Sequence, residues 1–203
     1  MKKQIFPPAN HEGKLAENAK DILVSGTGSI PAVGGLVAGV LEKIFPSGLE
    51  RRREVWEVAV SDALNGFNAE ELATNEEFLT LLIRSTEAAR RTHNFSKIER
   101  LSYALVNHAS DLEFEMKSKF VQWIDAFSTR DLAVLTRISN DEAVMYDDLV
   151  RDIFSGRADI LRVTMEDIQT TKRMIVTPRT DESGVLRLTE IGEGFCRYVG
   201  IRH

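Results

Sequence analysis

From residue 48 to residue 127 apolar side chains return every three or four positions, the period of helices that each bury one face. Four such stretches stand in a row. The first, over about 48–67, turns Leu49, Trp56, Val60, Ala63, Leu64 and Phe67 inward. The second, over about 75–92, does the same with Phe78, Leu81, Leu82, Ser85 and Ala89. A third over about 95–109 offers Ile98, Leu101, Leu105 and Ala109, and a fourth over about 111–127 offers Leu112, Met116, Phe120, Trp123, Ile124 and Phe127. Ser47-x-x-Glu50, Thr74-x-x-Glu77, Ser110-x-x-Glu113 and Ser128-x-x-Asp131 have capping-box spacing at helix starts. No glycine or proline falls between Asn68 and Asn140. This pattern predicts an antiparallel helical bundle with short connections.

Ahead of this body the pattern changes. Residues 22–41 are 20 positions without a charge, close to the length that crosses a bilayer core. Five glycines, three hydroxyl residues and Pro31 interrupt the run. Ser25–Ser29 has turn composition and splits it. The expected result is a helix over about 12–24, with Leu15, Ala19, Ile22 and Leu23 on one face, and a second over about 31–45 that is apolar nearly all round. Pro31 suits the first turn of that second helix, where its missing N–H costs nothing. Burial among other helices is the expected fate of both, and a membrane-seeking segment over 22–45 is the alternative. Gly34, Gly35, Leu36, Gly39 and Val40 are the candidate contacts with a second copy or with lipid, Gly35 and Gly39 having the spacing that lets apolar helices approach closely. Arg51, Arg52 and Arg53 follow at a helix start, the unfavourable end of the dipole. They read as a solvated face with Glu50 and Glu54, or as a partner or anionic-lipid contact. A nucleotide loop does not fit: Gly26 and Gly28 are followed by Pro31 where a dinucleotide fingerprint needs its third glycine, and no Gly-Lys-Ser/Thr occurs.

After Ser139 the texture changes again. "ADILRVTMEDIQTTKR" is helical, "MIVTP" and "GVLRLT" are short β-prone runs, and "RTDESG" between them reads as a hairpin turn. Thr189 then caps a last helix with Ile191, Phe195 and Val199 on its apolar face and Cys196 beside it. With helices expected at about 129–138 and 145–155, the order is helix, helix, helix, hairpin, helix. The ending "LRLTEIGEGFCRYV", with Leu188, Thr189, Gly192 and Phe195 in place, resembles that of bacterial winged-helix proteins over roughly residues 128–201. The whole chain resembles uncharacterised bacterial helical proteins in which an apolar Pro-Gly-Gly helix precedes a helical body and such an ending. The resemblance implies a third helix and a wing able to meet DNA or a partner. Arg157, Arg162, Gln169, Thr170, Lys172 and Arg173 are the candidates on the helix, and Arg179 and Arg187 on the wing. Asp159, Glu166, Asp167, Asp181 and Glu182 lie among them, and acidic groups aimed at phosphates weaken binding.

Composition narrows the function. The net charge is −5, with 15 basic against 18 acidic residues in 1–127 and 11 against 13 in 128–203, so neither part carries the basic field of a nucleic-acid binder. One cysteine, Cys196, excludes an internal disulfide and fits a reducing compartment. The start "MKKQIFPPAN" reads as an irregular lead-in over 1–10, because Pro7 and Pro8 break what would be a signal-peptide core. The four histidines have no Glu three residues before them, which removes the Glu-x-x-His metal pattern. No nucleophile–base pair or carboxylate pair stands out. The expectation is therefore a mainly α protein. An N-terminal antiparallel helical bundle over 11–127, with an apolar Gly-rich hairpin, precedes a winged-helix-like module over 128–203. It is expected to be cytoplasmic and non-catalytic, to need no cofactor or metal, and to act by self-association or on a protein partner. The alternatives are a membrane-active effector and a winged-helix transcription regulator.

Overall fold

The computed structural model describes residues 32–141, 144–176 and 185–201. It is mainly helical, with a short antiparallel sheet near the C-terminus. The lead-in, the helix expected at 12–24, the turn expected at 25–29 and the expected hairpin turn "RTDESG" lie outside the described residues. The chain divides into two compact units, the second starting at Ala126.

In the first unit α1 (Ala32–Ile44), α2 (Glu50–Ala63), α3 (Ala69–Thr74), α4 (Glu76–Arg91), α5 (Phe95–Val106) and α6 (Phe114–Ala126) follow one another, with a 3-10 turn at Asn107–Ala109. The central member is α4. Its nine buried residues, among them Phe78, Leu79, Leu82 and Ile83, occupy more than one face. Helices α1, α2, α3 and α5 all pack on it. On α1, Leu36, Val37 and Leu41 are at most 2% exposed, Gly39 and Val40 are buried and Gly35 is half-buried, covered by α2, α3 and α4. Trp56 of α2 is fully buried, and its indole N–H donates to Thr86 Oγ1 at 3.0 Å. The Thr86 hydroxyl in turn donates to the Leu82 carbonyl at 2.7 Å. Helix α6 is tied in through its ends. The Lys97 ammonium donates to the Asp125 carbonyl at 2.8 Å, and the buried Lys117 ammonium donates to the His108 carbonyl at 2.6 Å.

Helix starts differ from expectation in an instructive way. Asn68, Asn75 and Asn94 cap α3, α4 and α5 by accepting first-turn N–H groups. Thr74 therefore does not cap α4, and α3 is a separate short helix that the apolar period did not reveal. Helix α2 has Leu49 at its cap position, and Glu50 accepts from the Gly48 N–H instead of completing a box with Ser47. Helix α6 starts at Phe114, so Ser110 and Glu113 stand outside it. The Ser128–Asp131 box forms, with Asp131 N–H to Ser128 Oγ at 3.2 Å and Ser128 N–H to Asp131 Oδ2 at 2.5 Å. Ala109 is exposed rather than buried, because the 3-10 turn rotates it off the face of α5.

The second unit runs α7 (Thr129–Asn140), β1 (Val144–Met145), α8 (Tyr146–Asp152), α9 (Ala158–Glu166), a π turn (Asp167–Thr171), β2 (Ile175–Val176), β3 (Val185–Leu188) and α10 (Glu190–Tyr198). The sheet order is β1-β3-β2, all antiparallel, with Val144 opposite Leu186 and Ile175 opposite Leu188. Strand β1 is an addition to the expected hairpin. Two residues cannot announce a strand by alternation, and β1 exists because β3 offers it an edge. Leu135, Leu149, Leu161, Ile168, Phe195 and Val199 are fully enclosed in the core. Phe127 meets Phe195 edge-on, with ring centroids 5.6 Å apart.

Thr189 and Gly192 join the sheet to the last helix. The Thr189 N–H donates to the Met174 carbonyl at 2.9 Å, and its hydroxyl donates to the Arg173 carbonyl at 2.7 Å while accepting from the Gly192 N–H at 3.1 Å. A Cβ on Gly192 would collide with the Met174 carbonyl oxygen, a backbone atom that cannot step aside. The Thr-x-x-Gly spacing is thus a demand of packing.

Two outcomes test this core. Gly192→Ala is expected to destabilise the second unit by about 2–3 kcal/mol through overpacking, read by hydrogen exchange of the α7 and α10 amides. Thr86→Val, which leaves the Trp56 indole N–H without its acceptor, is expected to cost about 1–3 kcal/mol. Urea unfolding followed by tryptophan fluorescence reads it, since both tryptophans lie in the first unit.

Candidate functional site

The third helix of the second unit, α9, is where the resemblance places recognition, and part of the charge at its ends is paired. Arg157 stands at the N-cap position and forms a two-pronged pair with Asp159: Nε to Oδ1 at 2.9 Å and Nη2 to Oδ2 at 2.8 Å. That guanidinium holds the Asp159 carboxyl down to about 2. Lys172 faces inward. It is 8% exposed, its ammonium donates to Asp167 Oδ2 at 2.6 Å, and it lies 5.1 Å from the centre of the Phe127 ring. Lys172 therefore closes the π turn onto the core and is not presented to a ligand. Gln169 is half-buried, with an enclosed Nε2 that has no hydrogen-bond partner. Arg162 is exposed on α9, and Glu166 shares that exposure. Arg173 is exposed with φ +52°, and its carbonyl serves the Thr189 junction. Arg187 is exposed on β3 opposite Val176. Arg179 and the Thr170 side chain lie outside the described residues.

Helix α9 also exposes an apolar side chain. Val163 is 65% exposed. It sits two residues from both Leu161 and Met165, the buried stripe, which puts it on the opposite side of the helix. An apolar residue out of phase with the core stripe is the sequence signal that marks it.

In the first unit the predicted cluster of arginines does not act as a block. The Arg52 guanidinium donates to the Arg90 carbonyl at 2.5 Å and contacts the His93 ring, with Nη2 2.6 Å from Nδ1. The dipole misfit of a cation at the start of α2 is offset because the same cation caps the C-terminal turn of α4, the favourable end. Arg53 pairs with Glu57 at 4.0 Å on the surface, an interaction of small worth. Arg51 is exposed. Arg51 and Arg52 line a cleft of about 320 Å³ between the starts of α2 and α5. Gly34, Gly35, Leu36, Gly39 and Val40 all lie on α1, and Leu36, Gly39 and Val40 are covered by their own unit.

Among the described residues no three His, Cys, Asp or Glu side chains gather as a metal site would require, and no helix is long and apolar enough to cross a membrane. Cys196 is fully buried. No protein-family model, curated protein or solved structure matches the chain.

The charge pairing on α9 has a direct readout. The Asp159 carboxyl is expected to titrate with a midpoint near 2 by carboxyl NMR, and Arg157→Gln should return it toward 3.8. The sign follows from a depressed folded value: the pair favours the folded state above pH 3.8, and its contribution disappears as pH falls through about 2.

Proposed function

We propose that this chain is a non-catalytic interaction protein, and that residues 128–203 form a winged-helix-type module that engages protein, a second copy of itself first, rather than nucleic acid. Three helices, the β2–β3 pair and a last helix follow in the order that the resemblance implies, with β1 added at the edge of β3, and this order supports the module reading. The Thr189–Gly192 junction adds a physical reason for the sequence ending that carries the resemblance.

The observation that carries the choice of partner is that two of the four cations over residues 157–173 are compensated, leaving Arg162 and Arg173 exposed. Arg157 is committed to Asp159 and Lys172 to Asp167. Each phosphate contact needs an available donor, and residues 157–173 carry four basic against three acidic side chains. Val163, bare at 65%, is the kind of side chain that a protein surface covers and a phosphate backbone does not. The membrane-active alternative has less support, since the apolar residues of α1 from Leu36 to Leu41 are occupied within their own unit.

Two measurements decide. Fluorescence anisotropy with a random DNA duplex near physiological salt is expected to give a Kd weaker than about 10⁻⁴ M, outside the range of non-specific DNA binders. Sedimentation velocity is expected to show concentration-dependent dimers for the wild type and monomers for Val163→Asp, a change at an exposed site that leaves the fold intact. Tight, steeply salt-dependent duplex binding by a monomer would instead support a transcription regulator.

A further inference from the structure

The cleft between the starts of α2 and α5 combines two chemistries that the proposed role of the second unit leaves unused. One wall is apolar, built from Leu49, Val55, Phe95 and Ile98. Phe95 is 66% exposed although Ile98, one turn on, is buried. An aromatic ring left in water beside a concave apolar wall is a surface that gains free energy when covered.

The lining also holds two cations, Arg51 and Arg52. Arg51 is exposed. Arg52 is held in place by the Arg90 carbonyl and the His93 ring, and a guanidinium with five N–H donors has others to offer. Among the described residues Glu50 is the one carboxylate in the lining; its Oε1 accepts from the Gly48 N–H at 2.7 Å, a contact that favours its charged form, so the two arginines leave a net charge of one cation. Gly48, also in the lining, holds φ +95°, a backbone conformation that favours glycine. The volume, about 320 Å³, lies at the small end of ligand pockets, which suits a small molecule better than a protein segment.

We propose that this cleft binds a small carboxylate with an aromatic or branched-aliphatic body, the body against Phe95 and Val55 and the carboxylate on Arg51 and the spare donors of Arg52. The arrangement explains why an exposed ring and an exposed guanidinium share one hollow. It separates three ligand classes. A neutral aromatic would leave the arginines with water, a bare carboxylate would leave Phe95 uncovered, and only the combined molecule uses both walls.

Amide NMR of the full chain tests it with phenylacetate, 2-phenylethanol and acetate. Phenylacetate is expected to shift the amides of 48–55 and 92–98 saturably, with a Kd on the order of 1 mM or tighter. 2-Phenylethanol and acetate should each bind about tenfold more weakly or not at all. Arg51→Gln and Phe95→Ser change exposed side chains, so both should keep the wild-type spectrum elsewhere, and each should weaken phenylacetate about five- to tenfold. Equal binding of the neutral alcohol, equal binding of acetate, or no localised shift at about 10 mM phenylacetate would overturn the assignment.

Discussion

Helix α1 offers water little to bond with until its last turn, where Glu42 and Lys43 are exposed, and that constraint organises the first unit around it. Leu36, Val37 and Leu41 need cover from several directions, and α2, α3 and α4 supply it. Burying a large aliphatic side chain stabilises the fold by about 1.5–3 kcal/mol, so this enclosure is a substantial part of what holds the unit together. It also dictates the character of α4. A helix that must contact α1 on one side and α2 and α5 on others cannot keep a broad polar face, which is why Leu79, Ile83 and Ala88 are buried alongside the expected Phe78, Leu82 and Ala89. The hydroxyl of Thr86 is then needed within this apolar surround as the acceptor for Trp56.

The second unit depends on a closer approach. Met174 lies against the first turn of α10 with no room for a side chain at Gly192, and Thr189 binds the backbone on both sides of that contact. The junction sets β2 against β3 and anchors the chain just after the π turn, where Lys172 reaches back to Asp167 and Phe127. The surface of α9 follows from this. One of its neighbouring cations is drawn inward, another is neutralised by Asp159, and Val163 is left outward. The exposed side chains of α9 thus include Val163 together with charges of both signs, Arg162 and Glu166.

Much of this was legible in the sequence, for physical reasons that differ by element. Long helices were visible because their apolar stripes run for three or more turns. The ranges 31–45, 75–92 and 129–138 are close to the observed α1, α4 and α7. The Ser128–Asp131 box was legible because both partners lie in the chain at fixed spacing. The helix starts capped by Asn75 and Asn94 were missed because asparagine needs no acidic residue three positions on, and the one at Asn68 because the helix behind it is only six residues long. Strand β1 was hidden because its existence depends on β3, 40 residues away along the chain. Charge pairing was hidden for a similar reason. The sequence showed Asp159 near Arg157 and Asp167 near Lys172, but not that the first pair would be two-pronged and the second turned inward. The cleft beside Arg51 was not visible at all, since it joins the start of α2 to the start of α5, more than 40 positions apart.

Hydrogen exchange along α1, with and without anionic lipid vesicles, tests the enclosure most directly. The account predicts that the amides of Leu36 to Ile44 exchange only through opening of the whole first unit, with protection equal to that of α4 and unchanged by vesicles. Fast exchange in water, or protection that appears only when vesicles are added, would contradict it.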